Sequence, residues 1–247
     1  MSRYKDFQEA TARRIFQLYK DEHRRVLLAD EVGLGKTFVA RRVIDLVRAW
    51  HKEMGDNFFR VVYICSNANI AGQNLKKLKV ENPMSISESR LSMQHLYIEQ
   101  KSKEIIDRAQ GMPETIIPLT PSTSFRFYST QGTANERALM FDLLKRMPEF
   151  MGLSDKLGRF LSCGVKNWEW LAATYDNIIQ TKCGPDYVAN TTGELRKKCT
   201  GNEMARLAAL ARTECSWRDK AVIINTFRRL FAEISVDKLD PDLVIMD

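Results

Sequence analysis

Two hydrophobic periods divide the chain: short apolar runs alternate with helical spacing in its front half, and helical spacing alone takes over behind it. Residues 4–20 place Phe7, Ile15, Leu18 and Tyr19 on the apolar side of an amphipathic helix. Val26-Leu27-Leu28-Ala29 is a run of the kind that fills a buried parallel strand, and Phe38 through Val47 returns to helical spacing. After a Gly55-Asp56-Asn57 break, residues 58–65 read as a second strand. The polar turn Ser66-Asn67-Ala68-Asn69 then leads into a helix holding residues 73–78. Residues 115–125 predict a third strand ending in hydroxyl residues. From about Thr133 to Val236 helical stretches at 136–147, 168–179, 203–212 and 220–234 replace the alternation. Leu243-Val244-Ile245-Met246 is a last apolar strand, ending on the carboxylate of Asp247. Strands alternating with helices predict an α/β fold with a parallel sheet, and the helical stretch reads as an insertion into it.

Residues 29–37, Ala-Asp-Glu-Val-Gly-Leu-Gly-Lys-Thr, lie between an apolar run and a helix, the setting of a phosphate-binding loop. Gly33, Leu34 and Gly35 form the turn. The two glycines let backbone N–H groups point inward at phosphate oxygens, where the next helix adds its positive dipole end. Lys36 is placed to reach the β/γ-phosphates and the Thr37 hydroxyl to ligate Mg²⁺, so ATP with Mg²⁺ is the expected cofactor. Asp247 is expected to complete the metal environment opposite Thr37, mainly through water. Lys36 and Asp247 are thus the catalytic candidates, Thr37 and Asp247 the metal ligands.

Composition narrows the partners. Lys+Arg total 38 against Asp+Glu 31, a formal charge of +7, which favours nucleic acid over a membrane as a partner. No apolar run reaches the length of a membrane span and no basic-then-apolar leader opens the chain, so neither a membrane span nor export is expected. Cys65, Cys163, Cys183, Cys199 and Cys215 include no Cys-x-x-Cys pair and read as reduced thiols, which suits the cytoplasm. Trp168, Trp170 and Trp217 are expected in the core of the helical insertion.

The general loop pattern begins with a glycine where this chain has Asp30. With that departure, Asp-Glu-x-Gly-x-Gly-Lys-Thr resembles motif I of superfamily-two helicases, particularly the Snf-type remodellers and the bacterial translocase that recycles RNA polymerase. The resemblance implies an N-terminal RecA-like lobe, a P-loop NTPase fold with a parallel sheet. It makes Phe7-Gln8 the aromatic–Gln pair in which Gln8 reads the adenine edge. The turn at 66–69 resembles motif Ia, which implies that Ser66 and Asn69 hold a nucleic-acid backbone, although the proline usual in the Snf-type branch is missing. Leu-Thr-Pro-Ser-Thr-Ser-Phe at 119–125 is similar to a string in bacterial helicase-like proteins, some of them from phage-defence or DNA-modification loci. It adds Thr120, Ser122 and Thr123 as backbone contacts, which position a strand without reading its sequence.

The stretch from Lys36 to Asp247 is about twice what such a lobe puts between its nucleotide motifs, given 30 or so residues per βαβ unit. The expected organisation is a RecA-like ATP-binding lobe at 1–133, a helical insertion at 134–235, and a Walker B strand at 236–247 returning to the lobe. The resemblance places a catalytic Glu directly after Asp247 and a second RecA-like lobe beyond it. The chain therefore reads as the ATP-binding portion of a nucleic-acid-dependent ATPase, a helicase or DNA translocase, with DNA favoured over RNA. By itself it is not expected to hydrolyse ATP. The competing class is a nucleotide-controlled signalling or assembly ATPase whose helical insertion binds a protein partner. Salt-sensitive nucleic-acid binding distinguishes the two.

Overall fold

In the computed structural model, which describes residues 6–29, 33–84, 90–108, 111–125, 127 and 131–247, the strand-forming segments gather into one parallel sheet. The chain divides into two units. The first comprises Met1–Ser89, Ile105–Ser122 and Asp240–Asp247, and the second Arg90–Glu104 and Thr123–Leu239.

The first unit holds α1 (Asp6–Lys20), α2 (Lys36–Met54), β1 (Phe59–Ile64), α3 (Ala68–Leu78), the end of α4 (Leu91–Arg108), β2 (Glu114–Leu119) and β3 (Leu243–Met246). Strand order is β2-β1-β3, all parallel, with Val61 opposite both Ile116 and Leu243. Phe59, Val61 and Tyr63 of β1 face a core of Ala12, Val39, Val43, Ile44, Val47, Ala71 and Leu78 from the helices. Val62, on the opposite face of β1, is buried too, and every residue of β2 is buried. That explains why these strands read as continuous apolar runs rather than alternating ones. Gly55 ends α2 at φ +83°, a left-handed conformation that glycine adopts without steric cost. Its neighbour Asp56 donates its backbone N–H to the His51 carbonyl at 3.1 Å, satisfying an otherwise orphaned acceptor of the last turn.

The expected strand at Val26–Ala29 is not formed. These residues are irregular, Leu27 is 89% exposed, and Leu28 alone packs partly on the core. An apolar run this short does not fix a strand by itself, and residues 26–29 pair with none of β1, β2 and β3.

α5 (Pro121–Ser124) carries the chain into the second unit, which contains α6 (Ala134–Leu144), α7 (Ser154–Ser162), α8 (Trp168–Lys182), α9 (Tyr187–Lys198), α10 (Glu203–Arg212), α11 (Trp217–Leu239) and most of α4. α6 begins on a capping box, with the Thr133 hydroxyl accepting from Glu136 N–H and the Glu136 carboxylate accepting from Thr133 N–H. Its residues from Glu136 to Leu144 are buried on every side, the mark of a helix at the centre of a bundle. Around it pack Phe150, Leu157, Leu161, Leu195, Leu207, Phe227 and Phe231. Trp168 packs on Phe141, but the expectation of core tryptophans fails at Trp170 and Trp217, which are 66% and 65% exposed. Trp168 faces inward, and a helix turns about 100° per residue, so Trp170 two positions on points outward.

Candidate functional site

All of the first unit's candidate residues lie at one end of its sheet. The direction of α2 fixes this. His51, in the last turns of α2, has Nδ1 3.9 Å from Asp242 Oδ1, just ahead of β3. The Tyr19 hydroxyl links the same two places, meeting His51 Nε2 at 2.8 Å and donating to the Asp242 carbonyl at 3.1 Å. The C-terminal end of α2 therefore sits where β3 begins. α2 runs antiparallel to β3, and its opening residues Lys36 and Thr37 lie at the end of the sheet where β3 delivers Asp247. Ser66 follows β1, and Thr120 follows β2, at that same carboxyl end, where α/β sheets bind their ligands.

The turn ahead of α2 has the conformation a phosphate loop needs. Gly33 and Gly35 have φ +93° and +82°, values that β-carbon-bearing residues rarely adopt. The Gly35 carbonyl accepts from Phe38 N–H at 2.8 Å, so the helix starts directly from the turn. Asp30, Glu31 and Val32 of the expected motif, like Tyr4 and Lys5 of the first expected helix, lie outside the described residues. Gln8 is 8% exposed, and its side-chain amide donates to the Leu34 carbonyl at 3.0 Å. A Cβ on Gly35 would fall 2.5 Å from the Gln8 amide nitrogen, so glycine there also makes room for Gln8. Glu9, the neighbour of Gln8, binds Arg42 of α2 through two hydrogen bonds of 2.7 and 3.0 Å, fixing α1 beside the loop's helix. The bonds from Arg42 hold the Glu9 carboxyl below its ordinary range.

Asp247 donates its backbone N–H to the Ile64 carbonyl at 2.9 Å, which extends the β1–β3 ladder to the carboxylate. The carboxylate accepts from the Tyr63 hydroxyl at 2.7 Å and from Asn74 of α3 at 2.8 Å. Ser66 and Asn69 are exposed beside the start of α3, while Asn67 between them caps that helix by accepting from Ile70 N–H at 3.0 Å. Thr120 is fully buried, Ser122 is exposed and Thr123 half-buried. Sequence reasoning missed Tyr63 and Asn74, and likewise the Tyr19–His51–Asp56 chain at the opposite end of the sheet, where His51 Nδ1 and Asp56 Oδ2 are 2.5 Å apart. Tyr19 and His51 stand 32 residues apart, and Asn74 and Asp247 173, so no spacing pattern relates them. A polar residue at 74 in an otherwise apolar helix face was the one available signal.

A family model for the type III restriction enzyme res subunit matches residues 2–136. The chain belongs to that family. No curated protein and no solved structure matches it. The res-subunit match identifies a P-loop, superfamily-two helicase-like domain, whose general class of activity is ATP-dependent work on nucleic acid. Helicase-like domains of this class generally use ATP and Mg²⁺. The donors at the carboxyl end of this res-subunit sheet fit such a group. A hydroxyl at Thr37 and a carboxylate at Asp247 are hard oxygen ligands of the kind Mg²⁺ takes, and Lys36 adds a cation for phosphate. No helix among the described residues is long and apolar enough to cross a membrane.

Proposed function

We propose that this chain is the ATP-binding portion of a nucleic-acid-dependent motor, a helicase or DNA translocase related to the Snf-type branch, acting on DNA rather than RNA. The observation that carries the reading is the convergence of the left-handed Gly33–Gly35 turn, Lys36, Thr37 and Asp247 at one end of a parallel sheet. Backbone N–H groups of residues 33–35 cradle the phosphates, Lys36 neutralises charge on the β/γ-phosphates, and Gln8 meets the adenine edge. Mg²⁺ held between Thr37 and, through water, Asp247 would offset the charge that builds on the phosphates. Ser66, Asn69, Thr120, Ser122 and Thr123 contribute to the nucleic-acid backbone path, the exposed side chains directly and Thr120 by shaping the turn after β2. In this reading residues 134–235 are an insertion in the RecA-like lobe, and a second lobe supplies the rest of the hydrolytic site. The likeness of residues 119–125 to strings from phage-defence and DNA-modification loci supports phage defence as the pathway, with general repair or remodelling as the alternative.

The test is nucleotide and DNA binding by the chain. A fluorescent ATP analogue is expected to bind with Mg²⁺, and Lys36→Ala to weaken it on the order of ten- to a hundred-fold, the worth of a charge-assisted contact of about 1.5–3 kcal/mol. Duplex DNA is expected to bind with an affinity that falls steeply as salt rises. Nucleotide binding without any salt-sensitive nucleic-acid binding would instead favour a signalling or assembly ATPase.

A further inference from the structure

The carboxylate assigned to the metal is itself held from two sides. Both described bonds fall on one oxygen, Asp247 Oδ2, from the Tyr63 hydroxyl at 2.7 Å and the Asn74 amide at 2.8 Å; the same amide nitrogen donates to the Tyr63 oxygen at 2.9 Å. The three side chains come from the end of β3, from β1 and from α3, and Tyr63 and Asn74 are both buried. Packing alone asks for neither polar group. Tyr63 stands among Phe59, Val61, Val43 and Ala71, where phenylalanine would fill the same space. Asn74 lies between Ala71 and Leu78 on the buried stripe of α3, where leucine would be the ordinary choice. A buried polar group without a partner is costly, so each has a use in the bond it makes.

α3 joins this triad to the other half of the site. Its capped N-terminus carries Ser66 and Asn69, the proposed backbone contacts, and Asn74 follows Asn69 by about 7.5 Å of helix rise. A helix is stiff over that distance, so a shift at its N-terminus moves the amide that holds Asp247.

We propose that Tyr63 and Asn74 are positioning residues that orient Asp247 toward the metal, and that α3 thereby links nucleic-acid contact at Ser66 and Asn69 to the nucleotide site. The proposal rests on the reading of the carboxyl end as a Mg²⁺·ATP site, and its test separates the two. Binding of a fluorescent ATP analogue to the full chain is titrated with Mg²⁺, and in EDTA, with and without a duplex oligonucleotide. Tyr63→Phe and Asn74→Leu are expected to leave metal-free nucleotide affinity near that of the parent. They should raise the Mg²⁺ concentration for half-maximal tightening by about three- to ten-fold, the worth of one ordinary net hydrogen bond, and flatten the oligonucleotide's effect on that midpoint. Tyr63→Phe removes one oxygen without changing shape, so it remains decisive if Asn74→Leu does not fold. Unchanged binding in Lys36→Ala removes the nucleotide-site reading and this proposal together. Loss of binding in Lys36→Ala with a parental Mg²⁺ midpoint in Tyr63→Phe overturns the positioning role alone. A raised midpoint in Tyr63→Phe, with no oligonucleotide effect in the parent, supports positioning and overturns the link through α3.

Discussion

Both units bury polar side chains, but they use them differently. In the helical unit the buried charges answer one another. Arg228, 2% exposed, binds Glu136 at 2.8 and 2.9 Å and Asn225 at 2.6 Å, while Ser92 donates to the same Glu136 oxygen at 2.6 Å. Burial works against the charged form of Glu136, yet Arg228, Ser92 and Thr133 hold its carboxyl below the ordinary range. Arg137 is spent likewise on the carbonyls of Leu161, Gly132 and Ser162. In the α/β unit Gln8, Tyr63 and Asn74 instead brace the turn and the carboxylate of the carboxyl end. Burial of a polar group is therefore no pointer to chemistry by itself. What matters is whether its partners close on themselves or lead toward an open edge.

The contrast can be broken at several points. Glu136→Ala leaves a buried guanidinium uncompensated, and denaturant unfolding of the helical unit should show a loss of about 3–5 kcal/mol. Tyr63→Phe in the α/β unit should cost less than about 1.5 kcal/mol. Equal losses would abolish the distinction between a network that stabilises and one that serves a site. Acid should also act first on the helical unit. His95 is wholly buried against Phe231, with Nδ1 2.9 Å from the Tyr187 hydroxyl and no hydrogen-bond partner for Nε2 among the described residues. Burial, reinforced by Lys238, pushes it down to about 3. The unfolded chain takes up that proton below about 6.5 and the folded one does not, so stability present above 6.5 is lost as pH falls toward 3. The slope approaches about 1.4 kcal/mol per pH unit. Unfolding midpoints at pH 7 and 5.5 measure it before the carboxylates titrate, and His95→Asn should remove the slope; an identical slope in that variant would assign it elsewhere. The smallest effect is expected at Trp170→Ala and Trp217→Ala, each within about 0.5 kcal/mol of the parent because both indoles face solvent. A loss of several kcal/mol would return them to the core.

Much of this was legible in the sequence because it is local. β1 and β3 lie within the apolar runs at 58–65 and 243–246, β2 begins one residue before the run that opens at Thr115, and α10 coincides with the spacing at 203–212. The Gly33–Leu34–Gly35 turn was legible because a phosphate loop is contiguous. The helices at Leu91–Arg108, Ser154–Ser162 and Tyr187–Lys198 were not. The second carries helical spacing at Leu157, Phe160 and Leu161, but its nine residues are too short for that spacing to stand out. The third is rich in Thr, Asn and Gly, residues of weak helical propensity that tertiary packing overrides. Val26–Ala29 misled because apolar character does not secure burial: Val26 and Leu27 are exposed. The brace on Asp247 depends on Tyr63, Asn74 and Asp247 meeting across the fold, which no single-chain pattern encodes.

The strand order has a consequence for the route to the native state. β1 is the middle of the sheet, yet Arg60 and Asp242, which meet where β1 and β3 begin to pair, stand 182 residues apart. β2 can zip onto one side of β1 early, whereas the other side waits for a segment that arrives only after the whole helical unit has been threaded. Closing so long a loop is slow, and until it closes β1 exposes a ladder of unmet amides and carbonyls to any neighbouring chain. Folding of this sheet is thus a race between its own last strand and intermolecular pairing, and dilution during refolding should favour the native product.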